Sequence, residues 1–490
     1  MYSDNLRVLI VAEHASLKMG GEAALPLHYF RVLRQRGINT WLVVHERTRE
    51  ELQSLFKSDC DRIYFVSDTC GHRFVWQCSK FLPQRLSDFT LGLVLRLMTQ
   101  IVLRRIAKKI VQEQQIDIIH QPILVSPKEP SMIFHMGVPV VIGPMNGGMN
   151  YPPAFRYREN LFVHLSVEIG RHLANLFNTL IPGKLKATTL LVANQRTKEA
   201  LPKGISGKVI EIRENGVDLS IWKPKPQNQS LGLENLETEI RTQHSEAGTR
   251  QPIRFVFVGR LVKWKAVDLL ILAFKRVWEQ IPAELEIIGE GDELPALKAL
   301  AKEIGLIKLQ KTESATQDLG SEPQKRVAVN FTGFLPQRDC VQRLQLADVM
   351  VLPSLYECGG AAVLEAMTMG IPVIATHWGG PADYLDESCG ILVKPTTPDS
   401  FISDLATAML KMSTSPELRQ AMGKAGRQLI LEHFDWEVKI DTMLEIYREA
   451  IDSNTKSNHQ LHSRLGMVAA KFQNFCCQDG DLCEIVGHSL

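Results

Sequence analysis

The stretch from Val349 to Thr376, VMVLPSLYECGGAAVLEAMTMGIPVIAT, constrains the fold of this chain more than any other part. Val349 to Pro353 is a short apolar run of the length of a buried strand. Gly359 and Gly360 supply a loop of free backbone geometry. Ala361 to Met369 is rich in helix formers and meets no breaker until Gly370, a natural helix terminator. Pro372 to Ala375 reads as the next strand. Strand, glycine loop, helix and strand make a unit of a parallel α/β sheet. The loop offers backbone N–H groups at a helix N-terminus, a setting suited to phosphate or sugar oxygens. Two acids frame it, Glu357 before the glycines and Glu365 about two turns down the helix. Either acid alone reads as an ordinary solvated residue; the pair with its glycines carries the information.

The same alternation runs along the chain. Leu6 to Ala15 is an apolar strand leading to Gly20-Gly21, a helix from about Glu22 to Arg36, and a strand from Thr40 to Val44. Further strands fall at Ile116 to Pro122, with His120 at its end, and at Val138 to Asn150, which empties into a glycine-rich loop holding Asn146, Gly147 and Gly148. Thr188 to Asn194 and Val209 to Ile212 follow. A second series begins at Ile253 to Val258 and continues through Glu284 to Leu297 and Val329 to Pro336. At 490 residues the chain is long enough for two full cores. The pattern predicts an α/β protein of two Rossmann-like doubly wound domains, with ligands meeting the loops at strand C-terminal ends. Arg260 and Lys265 stand at such an end, beside a helix start, where two cations concentrate positive potential for a diphosphate.

The E-x7-E pattern from Glu357 to Glu365, set within P-S-x-x-E and E-A-M-x-x-G-x-P-V-I-A, resembles the retaining GT-B glycosyltransferases of family 4. The resemblance runs from about residue 6 to about residue 450, and includes G-R-L-x-x-x-K at Gly259 to Lys265 and N-G-V-D at Asn215 to Asp218. One departure lies in the loop. The family has Gly-aromatic-Gly after the first Glu, and this chain has Cys358-Gly359-Gly360, which bears on sugar preference more than on reaction type.

The resemblance implies the GT-B architecture: an acceptor-side domain over residues 1–217, a nucleotide-sugar domain over 218–432, a helix over 433–451 crossing back, and a tail over 452–490 with no counterpart. It implies transfer of a sugar from a nucleotide-sugar to a saccharide or lipid-linked acceptor, as in bacterial surface-polysaccharide synthesis. Arg260 and Lys265 would neutralise the leaving diphosphate, Glu357 would bond sugar hydroxyls, and His120 would face the donor sugar. Gly20, Gly21, Cys358, Gly359, Gly360 and Ala361 would border the donor, Glu365 would hold the ribose, and Gly333 and Phe334 would wall the base. Asn146, Gly147 and Gly148 are read as acceptor-side or sugar-side lining. No cofactor and no metal ion are expected, the two cations serving in a metal's place. The alternatives are a nucleotide-sugar epimerase on the same fold and a non-catalytic sugar-nucleotide-binding or scaffold protein. A dehydrogenase is disfavoured because Leu6 to Gly21 lacks G-x-G-x-x-G.

Composition narrows the setting. A formal net charge of +2 gives no global field for nucleic acid. Nine scattered cysteines without C-x-x-C point to reduced thiols and a cytoplasmic protein. Neither a signal peptide nor a membrane span is expected. Residues 71 to 110 carry eight Lys or Arg against one acid, Asp88. Arg96, Gln100, Arg104 and Lys108 form an i,i+4 stripe there, which reads either as the solvated edge of a core helix or as a surface for anionic lipid on the inner face of the plasma membrane. Phe155 to Leu180 reads as an extension of that surface. Cys358, at a helix N-terminus near two cations, is expected to have a lowered pKa. Residues 225–251 and 308–326 read as polar inserts.

Overall fold

The computed structural model describes residues 5–80, 84–123, 125–159, 170, 173–224, 251–307 and 328–456. The two polar inserts, most of the 452–490 tail and the middle of the 155–180 segment lie outside the described residues.

Apolar β-branched runs become two parallel sheets. The first comprises β1 (Arg7–Val11), β2 (Asn39–His45), β3 (Ile63–Val66), β4 (Ile118–Gln121), β5 (Val140–Met145), β6 (Thr189–Val192) and β7 (Lys208–Glu211), in spatial order β3-β2-β1-β4-β5-β6-β7. The second comprises β8 (Ile253–Val258), β9 (Ala283–Ile288), β10 (Val329–Gly333), β11 (Val349–Leu352), β12 (Val373–Thr376) and β13 (Gly390–Val393), in order β10-β9-β8-β11-β12-β13. In each, the first strand lies centrally and the order reverses beside it, the switch point at which ligands of doubly wound folds bind.

Both faces of the first sheet are covered, as parallel strands require. The strand period of two sends Val8 and Ile10 to one face and Leu9 and Val11 to the other. The Leu9 face packs on α2 (Gln84–Glu113) through Leu103, Ala107 and Ile110. The Val8 face packs on α1 (Gly21–Gln35) and on the helix at residues 436–456, here α7, through Trp436, Ile440, Met443, Leu444 and Tyr447. The crossing-back helix is therefore part of the first core. Val217 anchors its start, donating to the Phe434 carbonyl at 2.7 Å.

An element not anticipated from the sequence ties the sheets together. Residues 149–158 leave β5 and lie on the second core, which contains Tyr151 and a fully buried Phe155. Phe155 meets Phe401 of α6 (Pro398–Thr414) edge to face, with ring centroids 5.9 Å apart. Arg158 then clamps Asp268 of α3 (Val267–Trp278) with both guanidinium nitrogens, at 3.0 and 2.5 Å. Aromatic burial and a bidentate charged pair together make this arm a fixed contact.

The basic stripe on α2 is only partly solvated. Arg96 pairs with Glu129 at 3.2 Å, the buried Gln100 accepts from the Met132 amide at 3.0 Å, and Arg104 donates to the Phe134 carbonyl at 2.9 Å. These side chains hold the 129–134 segment. The lipid-facing reading of the stripe is corrected to that extent, leaving Arg105, Lys108 and Lys109 exposed. Among the described residues, no helix is long and apolar enough to cross a membrane.

Candidate active site

The C-terminal ends of β8, β9, β10 and β11 build one edge of the cleft. The turn after β8 is zipped to the turn after β9: Gly259 donates to the Ile288 carbonyl at 3.0 Å and Leu261 to the Glu290 carbonyl at 2.8 Å. Gly289 donates to Gly333 at 2.8 Å, so three glycines stand in a row across the edge. Beside them Phe334 is 70% exposed, an open aromatic face at this sheet edge.

After β11 the chain reaches Glu357 and α4 (Ala361–Thr368), whose N-cap is Gly360 at φ 80°. That left-handed geometry turns the loop into the helix, and a β-carbon would strain it. The first N–H groups of α4 have no intrahelical acceptor. Lys265 reaches this mouth and forms an ion pair with Glu357, each side chain only 15% exposed. Arg260, from the same turn as Lys265, is exposed and has no protein partner among the described residues. Of the residues singled out in the sequence, the structure brings Lys265 and Glu357 into contact, with Gly359, Gly360 and Ala361 following Glu357 in the same loop and helix start and Arg260 in the same turn as Lys265.

Glu365 lies deeper in α4, partly buried, its carboxylate without a partner among the described residues. Burial pushes its pKa up to about 7, and its charge helps raise the nearby Cys340 thiol. An acid whose folded pKa exceeds its unfolded value of 4.5 opposes folding once ionised. Its contribution is therefore most favourable below about pH 4.5 and declines as pH rises to about 7. Comparing melting temperatures of wild type and Glu365→Gln from pH 4 to 8 should show the variant gaining relative stability across that window; parallel curves would count against it.

Three expectations are corrected. His120 is fully buried: Nε2 donates to the Gly143 carbonyl at 2.7 Å, and Nδ1 accepts from the Tyr447 hydroxyl at 2.7 Å. Burial holds its pKa down at about 4, so it is a neutral bridge between β5 and α7 with no ring nitrogen left for a sugar. Asn146 is 5% exposed and is not open acceptor lining; its amide reaches across to the Cys358 carbonyl at 2.7 Å. Gly147 is likewise tied inward, donating to the Thr197 hydroxyl at 3.0 Å, while Gly148 is exposed beside Arg196. Cys358 is not activated: burial, then the Glu357 charge and two further carboxylates, push its thiol up to about 12. Iodoacetamide at pH 8 should label Cys358 more slowly than the exposed Cys60 and Cys70, as read by mass spectrometry; Cys358 reacting first would contradict this.

Gly20 and Gly21 lie exposed at the start of α1, with nothing within 4 Å of a built β-carbon, so the first loop leaves open space. Sequence reading missed the polar cluster behind the glycine loop. Glu214, 4% exposed, lies between Asn146, Asn215 and Tyr384. Asp383, beside Tyr384 on α5 (Gly380–Tyr384), accepts from Asn194 at 2.8 Å and pairs with Arg196. Glu214 directly precedes N-G-V-D, but an acid at a strand end carries no signal of its own.

Two facing parallel-sheet domains, a glycine loop between them and a returning helix define the GT-B class of glycosyltransferase folds. Residues 239–429 match the family described as glycosyl transferases group 1. Over 245 residues the chain is 29% identical to an alpha-maltose-1-phosphate synthase of Mycolicibacterium smegmatis, covering 49% of this chain and 57% of that protein. It is 29% identical over 259 residues to a D-inositol 3-phosphate glycosyltransferase of Kribbella flavida, covering 50% and 52%. The chain thus spans about half the length of the curated relatives it matches. Anabaena HepE, solved in complex with UDP, superposes with a TM-score of 0.58 at 15% identity, over 91% of this chain and 100% of that one; at that identity the likeness concerns the fold.

Proposed function

We propose that this protein is a retaining glycosyltransferase of family 4 that moves a sugar from a nucleotide-sugar to a hydroxyl of a saccharide or lipid-linked acceptor. The observation that carries the reading is the Lys265–Glu357 pair at the mouth of the glycine loop, with Arg260 unpartnered beside it. A nucleotide-sugar presents both chemistries this pair lacks elsewhere: phosphate oxygens for Lys265 and sugar hydroxyls for Glu357. Donor binding would split the pair, Lys265 and Arg260 turning to the diphosphate and Glu357 to the sugar. The α4 N–H groups add positive potential where the leaving charge develops. The anomeric carbon–phosphate oxygen bond breaks, and the acceptor oxygen bonds to the same face of that carbon. The acceptor proton passes to the departing phosphate oxygen. Glu365, near the ribose, has an unpaired carboxyl for its hydroxyls.

We place the protein in the cytoplasm, peripheral on the inner face of the plasma membrane and working in bacterial surface-polysaccharide assembly, with no metal requirement and no nucleic-acid partner. HepE having been solved with UDP supports a nucleotide-sugar donor. A thermal-shift screen of UDP-, GDP- and ADP-sugars, followed by transfer assays with and without EDTA, tests this. A donor at 100 Kd should stabilise the fold by about 2.7 kcal/mol, and transfer should persist in EDTA. No shift and no nucleotide release with any donor would favour the non-catalytic binding protein instead.

A further inference from the structure

We propose that Glu214 is a positioning residue for the Glu357–Ala361 loop, acting through Asn146 in the space that a side chain at position 359 would occupy. The proposal rests on the transferase reading for its consequence in turnover, and on geometry alone for its structural part.

A β-carbon built on Gly359 would lie 2.6 Å from the Asn215 amide nitrogen and 2.8 Å from Glu214 Oε1, closer than real contacts allow. Position 359 is where the resemblance calls for an aromatic side chain. In this chain the β-carbon position is closed from the other side, by the Asn215 amide and the Glu214 carboxylate. Glu214 Oε1 accepts three hydrogen bonds, from Asn146 Nδ2 at 2.7 Å, Tyr384 OH at 3.0 Å and Asn215 Nδ2 at 3.1 Å. The same Asn146 nitrogen donates its other hydrogen to the Cys358 carbonyl at 2.7 Å. One amide group therefore links the acid to the loop backbone one residue before Gly359.

The acid is itself held from behind. Lys439 on α7 donates to the Arg213 carbonyl and, at 3.3 Å, to the Asn215 carbonyl, fixing the backbone on both sides of Glu214. The first domain (Asn146), the crossing segment (Glu214, Asn215), the returning helix (Lys439) and the second domain (Cys358, Tyr384) thus converge on one point.

The cluster is not what stability alone would choose. Glu214 Oε2 is buried without a partner, and a half-satisfied buried carboxylate is costly where an apolar group of similar shape is not. What the arrangement provides is a fixed Cys358 carbonyl, and with it a fixed direction for Glu357 and the following N–H groups. Rate depends steeply on such directions, because a displacement of about 1 Å at a catalytic group can cost about 10² in turnover.

The test uses the full-length protein and two readouts. Hydrogen exchange of the 355–362 peptide is measured in wild type, Glu214→Ala, Glu214→Gln and Asn146→Ala, alongside steady-state kinetics with the best donor from the thermal-shift screen. Expected are faster exchange confined to that peptide in Glu214→Ala and Asn146→Ala, with kcat down about 30-fold or more and donor KM within about 3-fold. Glu214→Gln keeps the acceptor oxygen and should recover most of the loss. Gly359→Ala should be less harmful in the Glu214→Ala background than in wild type, since half of its clash is gone. The proposal is overturned if loop exchange is unchanged, if exchange rises across the whole protein with kcat and KM moving together, or if Glu214→Gln is as impaired as Glu214→Ala. Should Glu214→Ala not fold, Asn146→Ala carries the same comparison. A wild-type protein that turns over no donor defeats the transferase reading, while the exchange comparison still decides the clasp.

Discussion

Glu357→Gln is expected to lower transfer by about 10²–10³-fold while leaving the melting temperature within a few degrees of wild type. The effect on rate follows from what the carboxylate does at the mouth of α4. It is the charged partner of Lys265 at rest, and in the proposed reaction the acceptor of donor-sugar hydroxyl protons. A glutamine of the same shape keeps the packing but offers one neutral acceptor oxygen in place of two charged ones, and a single contact of this kind typically supplies about 3–4 kcal/mol of barrier lowering. The effect on stability is small because Lys265 is not stranded: the glutamine amide oxygen still accepts a hydrogen bond from its ammonium. Steady-state transfer and a melting curve decide the matter. Near-normal turnover would remove Glu357 from the site, and a collapsed melting temperature would make its role chiefly structural.

Loss of either cation should cost comparably, with a different signature. Arg260→Ala and Lys265→Ala are each expected to reduce kcat/KM by about 10²-fold, because in the proposed reaction the diphosphate carries its charge into the transition state. The two variants should differ at rest. Arg260 has no partner among the described residues, so its removal leaves the unliganded protein unchanged. Removing Lys265 leaves Glu357 as an unpaired, largely enclosed carboxylate, so Lys265→Ala should also lower the melting temperature, and a Lys265→Ala/Glu357→Gln double variant should regain part of that loss. Calorimetric titration with the nucleoside diphosphate separates binding from turnover. Binding unaffected by both substitutions would place the diphosphate elsewhere.

How much of this was legible in the sequence depends on how local the signal is. The Val349–Thr376 unit, the glycines after β8 and β9, and the last described helix are written in short-range patterns: apolar runs of strand length, glycines where the backbone must turn, and an amphipathic stripe from Trp436 to Tyr447. Each pattern reports a local conformation and the face it must bury, and these are properties of neighbouring residues.

His120, Cys358 and Asn146 were misjudged for a common reason. All three sit at strand ends or loop mouths, where sequence position predicts access to the cleft. Whether the side chain reaches the cleft is decided by what packs over it from hundreds of residues away. The Tyr447 hydroxyl closes over His120, burial raises the Cys358 thiol with the charges of Glu357, Glu22 and Glu214 adding to it, and the Cys358 carbonyl captures Asn146. The same holds for the basic stripe on α2, whose Arg96, Gln100 and Arg104 are drawn onto the 129–134 segment.

The sequence by itself determined the two doubly wound sheets and the glycine loop at a helix start, because strand period, helix propensity and glycine turns are local physics. Only the tertiary structure decided that Lys265 and Glu357 hold each other, that residues 149–158 fasten the first domain onto the second core, and that Glu214 and Asn215 close the space beside Gly359. Those are contacts between segments remote in the chain, set by the burial of shared surface and by the need of each buried polar group for a partner, and neither is encoded at any single position.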